Sequence, residues 1–160
     1  MEQLEREAIP TKIIGGDRRL TMQLMGLWQS LRRKQRCPLV DPFLAAVPAR
    51  LREDCFLLLP GDPGAGRLEQ IGESIARFSG ISGTALDLAQ VSTDTLLGVA
   101  TRSLDQVLGR GAAFLDEGSY CDRDGRRLLF RAILLPLQDD SGRIVRVFGG
   151  ARCKPRPDDS

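Results

Sequence analysis

The last third of the chain constrains the fold more than any other part. Two apolar runs, residues 128–137 (LLFRAILLPL) and 143–148 (RIVRVF), are punctuated by Arg123-Asp124-Gly125-Arg126 and Asp139-Asp140-Ser141-Gly142. Clusters of Asp, Ser and Gly make tight turns, because their side chains bond the local backbone or leave φ unrestricted. Apolar runs joined in this way form an antiparallel meander. Strand side chains alternate sides, so Phe130, Ala132 and Leu134 share one face while Leu129, Arg131, Ile133 and Leu135 share the other. Arg131 prefers water, which assigns the Phe130 face to the interior.

The rest of the composition narrows the class. A chain of 160 residues, 42% of them hydrophobic, has material for one compact core. Its 23 basic and 21 acidic side chains leave a charge of +2, too balanced to make nucleic acid an expected partner. No stretch approaches the roughly 20 apolar residues of a membrane helix. The start, Met1-Glu2-Gln3-Leu4-Glu5-Arg6-Glu7, is charged where a secretory leader turns apolar, so a cytoplasmic location is expected. There is no histidine. That removes His-based triads, His-held haem, most catalytic zinc sites and a phospho-accepting histidine. Cys37, Cys55, Cys121 and Cys153 form no Cys-x-x-Cys pair, so reduced thiols are expected and no metal site is read.

Residues 1–17 contain Pro10 and Gly15-Gly16 without a sustained period and read as a mobile arm. Residues 18–37 carry Leu20, Leu24, Leu27, Trp28 and Leu31 at three- and four-residue steps, one face of an amphipathic helix that continues to Arg36 and stops before Pro38. Its basic end, Arg32-Arg33-Lys34-Gln35-Arg36, offsets the helix dipole. Residues 38–152 hold the body of the domain and 153–160 a tail. Within the body, residues 54–59 form a strand and 67–78 its hairpin partner. Thr84-Ala85-Leu86-Asp87-Leu88 makes a short helix, and a longer one runs from an N-cap at Ser92 to Leu108, with Gly109 beyond its end. Leu97, Ala100, Thr101, Leu104, Val107 and Leu108 share the face that covers the sheet.

Three fragments resemble functional motifs and read as turns. Gly61 and Gly66 have the spacing of a phosphate loop, but Arg67 and Leu68 stand where that motif needs a lysine and a hydroxyl. Gly15-Gly16-Asp17 resembles the start of a diguanylate cyclase signature and departs from it at Arg18-Arg19. Asp122-x-Asp124-Gly125 is too short for a calcium loop.

Strand, strand, short helix, long helix and three strands is an order that resembles the PAS family over residues 24–154. The resemblance rests on Leu27-Trp28-Gln29-Ser30-Leu31-Arg32-Arg33 with Pro38 and Asp41-Pro42-Phe43, and on Leu134-Leu135-Pro136-Leu137 followed by Asp139-Asp140-Ser141-Gly142-Arg143 and Gly149-Gly150-Ala151. The leading element is similar to that of stand-alone PAS proteins of alphaproteobacteria. The resemblance implies an α+β fold, with a PAS-like five-stranded antiparallel sheet, helices on one face and an N-terminal amphipathic helix. It also implies a sensory or regulatory module of bacterial signal transduction, with a homodimer, a signalling protein and a small hydrophobic or metabolite ligand as expected partners. Flavin-binding light sensors of the family share an Asn-Cys-Arg-Phe motif that is missing here. A covalent flavin photocycle and a His-ligated haem are both disfavoured, and the cofactor is unassigned.

Two sets of residues then have two readings each. Phe78, Leu97, Thr101, Leu104, Phe114, Phe130, Ala132 and Leu134 either line a ligand pocket or fill a core, and close packing is the commoner fate of such spacing. Leu20, Leu24, Leu27, Trp28 and Leu31 either meet a second subunit across a twofold axis or fold back on their own sheet. Catalysis is not expected. Asp116, Glu117 and Cys121 combine acid, base and nucleophile types, but neighbours on a strand point to opposite faces. No effector segment is visible around Lys154-Pro155-Arg156-Pro157, so output through association is the favoured expectation, with a dedicated small-molecule binding protein as the alternative.

Overall fold

The computed structural model describes residues 15–61, 66–82 and 86–157. The arm as far as Ile14, the loop residues Asp62, Pro63, Gly64 and Ala65, the stretch Gly83-Thr84-Ala85 and the last three residues lie outside the described residues. The chain forms α1 (Gly15–Arg32), α2 (Val40–Ala46), β1 (Cys55–Leu59), β2 (Arg67–Ile71), α3 (Glu73–Ser79), β3 (Leu86–Asp87), α4 (Leu96–Ala100), α5 (Leu104–Arg110), β4 (Phe114–Cys121), β5 (Arg127–Gln138) and β6 (Ile144–Pro155). The strands make one antiparallel sheet in the order β3-β2-β1-β6-β5-β4. The expected α+β architecture is present. Its sixth strand is β3, a two-residue edge piece pairing Asp87 with Arg67 and Leu86 with Leu68.

The meander turns use the chemistry read from the sequence. Asp122 Oδ1 accepts from the N–H groups of Asp124 at 3.0 Å and Arg126 at 2.9 Å, and Asp139 Oδ1 does the same for Ser141 at 2.9 Å and Arg143 at 3.1 Å. Gly125 and Gly142 take φ of 82° and 89°, which only glycine adopts without strain. These donors hold both carboxyls below the ordinary aspartate range, led by the Arg126 N–H for Asp122 and by the Ser141 hydroxyl for Asp139.

Both faces of the sheet are covered. On one face α3, α4 and α5 pack Ile75, Leu97 and Leu104 against Phe56, Phe130 and Leu134. On the other, α1 and α2 pack Leu20, Leu24, Trp28 and Phe43 against Ile133, Leu135 and Phe148. The face assigned to water on account of Arg131 is therefore apolar beyond that residue. Arg131 lies nearer the open end of β5 and pairs with Glu117 on β4. The sheet is crowded on both faces at Gly149 and Gly150, where an added Cβ would overlap the ring of Phe56, the β1 partner of Gly149, on one side and Leu24 of α1 on the other.

Several boundaries differ from the sequence reading. α1 stops at Arg32 instead of Arg36, because Arg33 turns to φ 54°. Gly15, Gly16 and Asp17 are helical. Residues 73–79 form α3 instead of extending a strand; the change comes at Gly72, where an added Cβ would overlap the Arg52 and Glu53 carbonyls. Leu86 and Asp87 are extended and lead into a 3-10 turn, where a short helix was expected. The helix expected over 92–108 is broken in two. Thr95, not Ser92, caps α4 by accepting the Gly98 N–H at 3.0 Å, and the chain leaves α5 at Gly111, φ 63°, two residues beyond the expected Gly109. The tail expected from residue 153 is the end of β6, paired as Leu128 with Pro155.

Replacing Gly149 with Ala forces overpacking and should cost about 1–3 kcal/mol or more. Gly26→Ala, where an added Cβ meets nothing within 4 Å, should stabilise α1 by about 0.5–1 kcal/mol. Urea titrations read both, and equal midpoints for the two variants would contradict the layer contact.

Candidate functional site

The helical face of the sheet gathers most of the expected pocket lining. Leu97, Leu104, Phe130, Ala132 and Leu134 meet in one cluster, none more than 5% exposed. Phe114 packs against its edge. Thr101, half-buried, spends its hydroxyl on the Leu97 carbonyl at 2.8 Å. These side chains are buried in one apolar cluster. Phe78 stands apart. It was read as a strand residue, but it sits on α3 and is 44% exposed.

Arg102 closes the β4 side of this cluster. Its guanidinium lies 5.1 Å from the Phe130 ring centroid and grips Asp116 in a two-point pair at 2.8 and 3.0 Å. The Asp116 hydrogen bonds raise the Arg102 pKa further. Tyr120 meets Phe130 edge-on at 6.0 Å. Burial, followed by the neighbouring Cys153 thiol, raises the Tyr120 pKa, so the phenol stays neutral.

Phe78 borders a groove of about 280 Å³ between α3 and the end of β6. Ser74 and Leu96 form its walls with Phe78, while Ala151 and Cys153 contribute from β6. Lys154 and the Asp54–Arg152 pair, closed at 2.9 Å, stand at its edge. The sequence reading missed Ser74, Asp54 and Arg152. Asp54 and Arg152 are 98 residues apart and join only because β1 pairs with β6. No local pattern announces such a meeting.

The acid, base and nucleophile types do not converge. Asp116 faces Arg102 on the helical side, Glu117 pairs with Arg131 on the opposite side, and Cys121 is exposed at the end of β4. Among the described residues no group of three or more Cys, Asp or Glu side chains is placed to hold a metal ion. No helix among them is long and apolar enough to cross a membrane.

The stripe on α1 lies against its own sheet. Leu20, Leu24 and Trp28 are buried there, and the Trp28 indole N–H donates to the Pro136 carbonyl at 2.8 Å. Leu27 and Leu31 are half-buried against the same layer. The large apolar side chain that the helix presents outward is Met22, 63% exposed.

No protein-family profile matches the chain, and no curated protein does. Among solved structures, the PAS domain of the fruit-fly ELK potassium channel matches over 72% of this chain and 97% of its own, with a TM-score of 0.51 at 9% identity. The chain has a PAS fold. The light-state structure of the blue-light photoreceptor Aureochrome1 LOV covers 76% of this chain and 91% of its own at 14% identity, with a TM-score of 0.48. A light-oxygen-voltage domain studied with a flavin analogue covers 64% and 77% at 13% identity, with a TM-score of 0.49. In this PAS fold the groove beside α3 is lined by Phe78 and Leu96 together with β6 residues.

The cysteines of the fold divide by burial. Cys37 and Cys55 are buried, Cys153 is half-buried and Cys121 is exposed. Burial pushes the Cys55 thiol from 9.0 up to about 12, with Asp54 adding to it, and raises Cys37 against the pull of Arg36 and Arg32. A thiol reagent at about pH 8 should therefore label Cys121 first and reach Cys37 and Cys55 only on unfolding. Rapid labelling of a Cys121→Ser variant at Cys55 would contradict this burial. The sign for stability follows. The unfolded thiol ionises from about pH 9 while the folded one resists until about 12, so the Cys55 contribution is intact below pH 9 and fades as pH rises through that window. Urea midpoints should fall less steeply above pH 9 for Cys55→Ala than for the parent chain.

Proposed function

We propose that the chain is a sensory or regulatory PAS module of bacterial signalling that acts by binding other proteins. The observation that carries this reading is β5, which touches both layers at once. Its Phe130, Ala132 and Leu134 pack under α4 and α5, while its Ile133, Leu135 and Leu137 pack under α1 and α2. A displacement among the helices on one face is felt by α1 through a single close-packed strand, because a filled core transmits strain instead of absorbing it. The Trp28–Pro136 hydrogen bond ties α1 to that same strand.

The separation of Asp116 from Glu117 across the sheet supports a non-catalytic role. A second reading has one specific observation in its favour. The groove beside α3 joins an apolar wall of Phe78, Leu96 and Ala151 to the cation of Lys154, with Arg152 already paired to Asp54, which fits a small apolar molecule with one acidic group.

Native mass spectrometry of freshly purified protein, followed by its denatured spectrum, separates the two readings. The docking reading expects the mass of the bare chain or its oligomer in both spectra. A stoichiometric companion molecule, present in the native spectrum and lost on denaturation, would transfer the function to ligand binding. Phe78→Lys and Ala151→Glu would then abolish its retention.

A further inference from the structure

The two edges of the sheet are built differently. One ends in β3, only two residues long, which offers little to pair with. The other ends in β4, eight residues long and paired with β5 along its whole length in unbroken register. Natural edges are blunted by shortness, bulges, proline or charged side chains, because an open ladder recruits another strand. β4, with the sequence FLDEGSYC, is long, keeps its register and has no proline or lysine, and its two charges, Asp116 and Glu117, are each paired with an arginine of the same chain.

The direction of its free backbone groups follows from the hydrogen bonds at either end of the hairpin. Asp122 N–H donates to the Arg126 carbonyl at 2.9 Å, and Arg156 N–H donates to the Arg127 carbonyl on the far side of β5. Antiparallel pairs alternate between bonded and non-bonded positions. Asp122, Tyr120, Gly118 and Asp116 therefore turn their backbone groups toward β5. Leu115, Glu117, Ser119 and Cys121 turn theirs outward, and all four are exposed.

We propose that β4 pairs antiparallel with β4 of a second copy of this chain, with Gly118 on the twofold axis, joining two sheets edge to edge. This deepens the association reading above by naming the surface and its partner. In that register Glu117 meets Ser119 of the mate and Leu115 meets Cys121 of the mate, so every outward-facing residue finds an outward-facing one, with two backbone hydrogen bonds per pair. Side chains that face the helices on one copy lie beside side chains that face the helices on the other, and the sheet continues without reversing its faces. The charges agree with it. No carboxylate stands directly opposite another, since Asp116 meets Tyr120 of the mate, and each acid is already matched within its own chain: Asp116 by Arg102, Glu117 by Arg131. Centring the pair on Glu117 would oppose two like charges and shorten the ladder.

An edge-to-edge contact of this length buries less area than a permanent dimer, so a reversible, concentration-dependent equilibrium is expected. Sedimentation velocity of the full chain should show dimer growing with concentration. Ser119→Pro removes one outward N–H that the single copy does not use, and should give a monomer with an unchanged thermal unfolding midpoint. Met22→Lys, on the exposed side of α1, should leave the dimer intact. In a Cys121→Ser background, Gly118→Cys should form a disulfide with its mate on mild oxidation, because the paired backbones approach to about 4.5 Å at the axis. An added Cβ there makes only ordinary contacts, 3.4 Å from the Phe130 ring, so the variant is tolerated. A monomer at all concentrations, or a dimer that Met22→Lys dissolves and Ser119→Pro does not, would overturn the proposal. The second result would leave the association reading standing, while the first removes self-association altogether.

Discussion

At Gly149 and Gly150 the backbone of β6 has a phenylalanine ring pressed against one side and a leucine methyl against the other. No side chain fits in either place. The rest of the architecture follows from this, because β6 is central and whatever approaches it from either face must approach to backbone distance. Phe56 on β1 seats the helical layer, and Leu24 on α1 seats the opposite one. The sheet is thus a partition between two apolar layers, and β5 reads as a long apolar run because neither of its faces meets water over most of its length, while β6 is buried on both faces only through its middle, Val147 to Ala151.

That double burial also explains which parts of the fold were legible from the residues alone. The meander was, since Asp139 and Asp122 build their turns from neighbours within four residues and the apolar runs between them are long. The split of residues 92–108 into α4 and α5 was not. Thr95, instead of Ser92, supplies the cap, and the Leu97 N–H is satisfied by Ser79 Oγ from α3, 18 residues away. Residues 67–78 alternate loosely enough to pass for one strand, and the break at Gly72, where any side chain would overlap the Arg52 and Glu53 backbone, is a contact between distant segments that no local pattern announces. The α1 stripe was legible as a stripe. What would cover it was not, because periodicity identifies an apolar face and says nothing about its partner. The same limit applies to the groove beside α3, where Phe78 was noticed as an aromatic and placed on the wrong kind of element.

Ion pairs add a lateral register to the packing. Arg146 reaches Glu69 at 2.7 Å, bringing β6 to β2 across β1, and Arg152 reaches Asp54 at 2.9 Å. Arg131 and Arg102 hold the two acids of β4 from opposite sides. Pairs that stay partly open to solvent contribute little each. Their value is directional: they fix which way long side chains lie across strands that the hydrophobic layers already hold together.

Trp28 is the only tryptophan in the chain. Its indole rests at the junction of α1 with β5, bonded to Pro136 and flanked by the Arg32 guanidinium at 5.5 Å. Nature has therefore installed a single intrinsic fluorophore at the seam between the helix and the strand common to both layers. Emission colour and quenching in the unmodified protein report one event, the lifting of α1 from the sheet, without interference from any other indole.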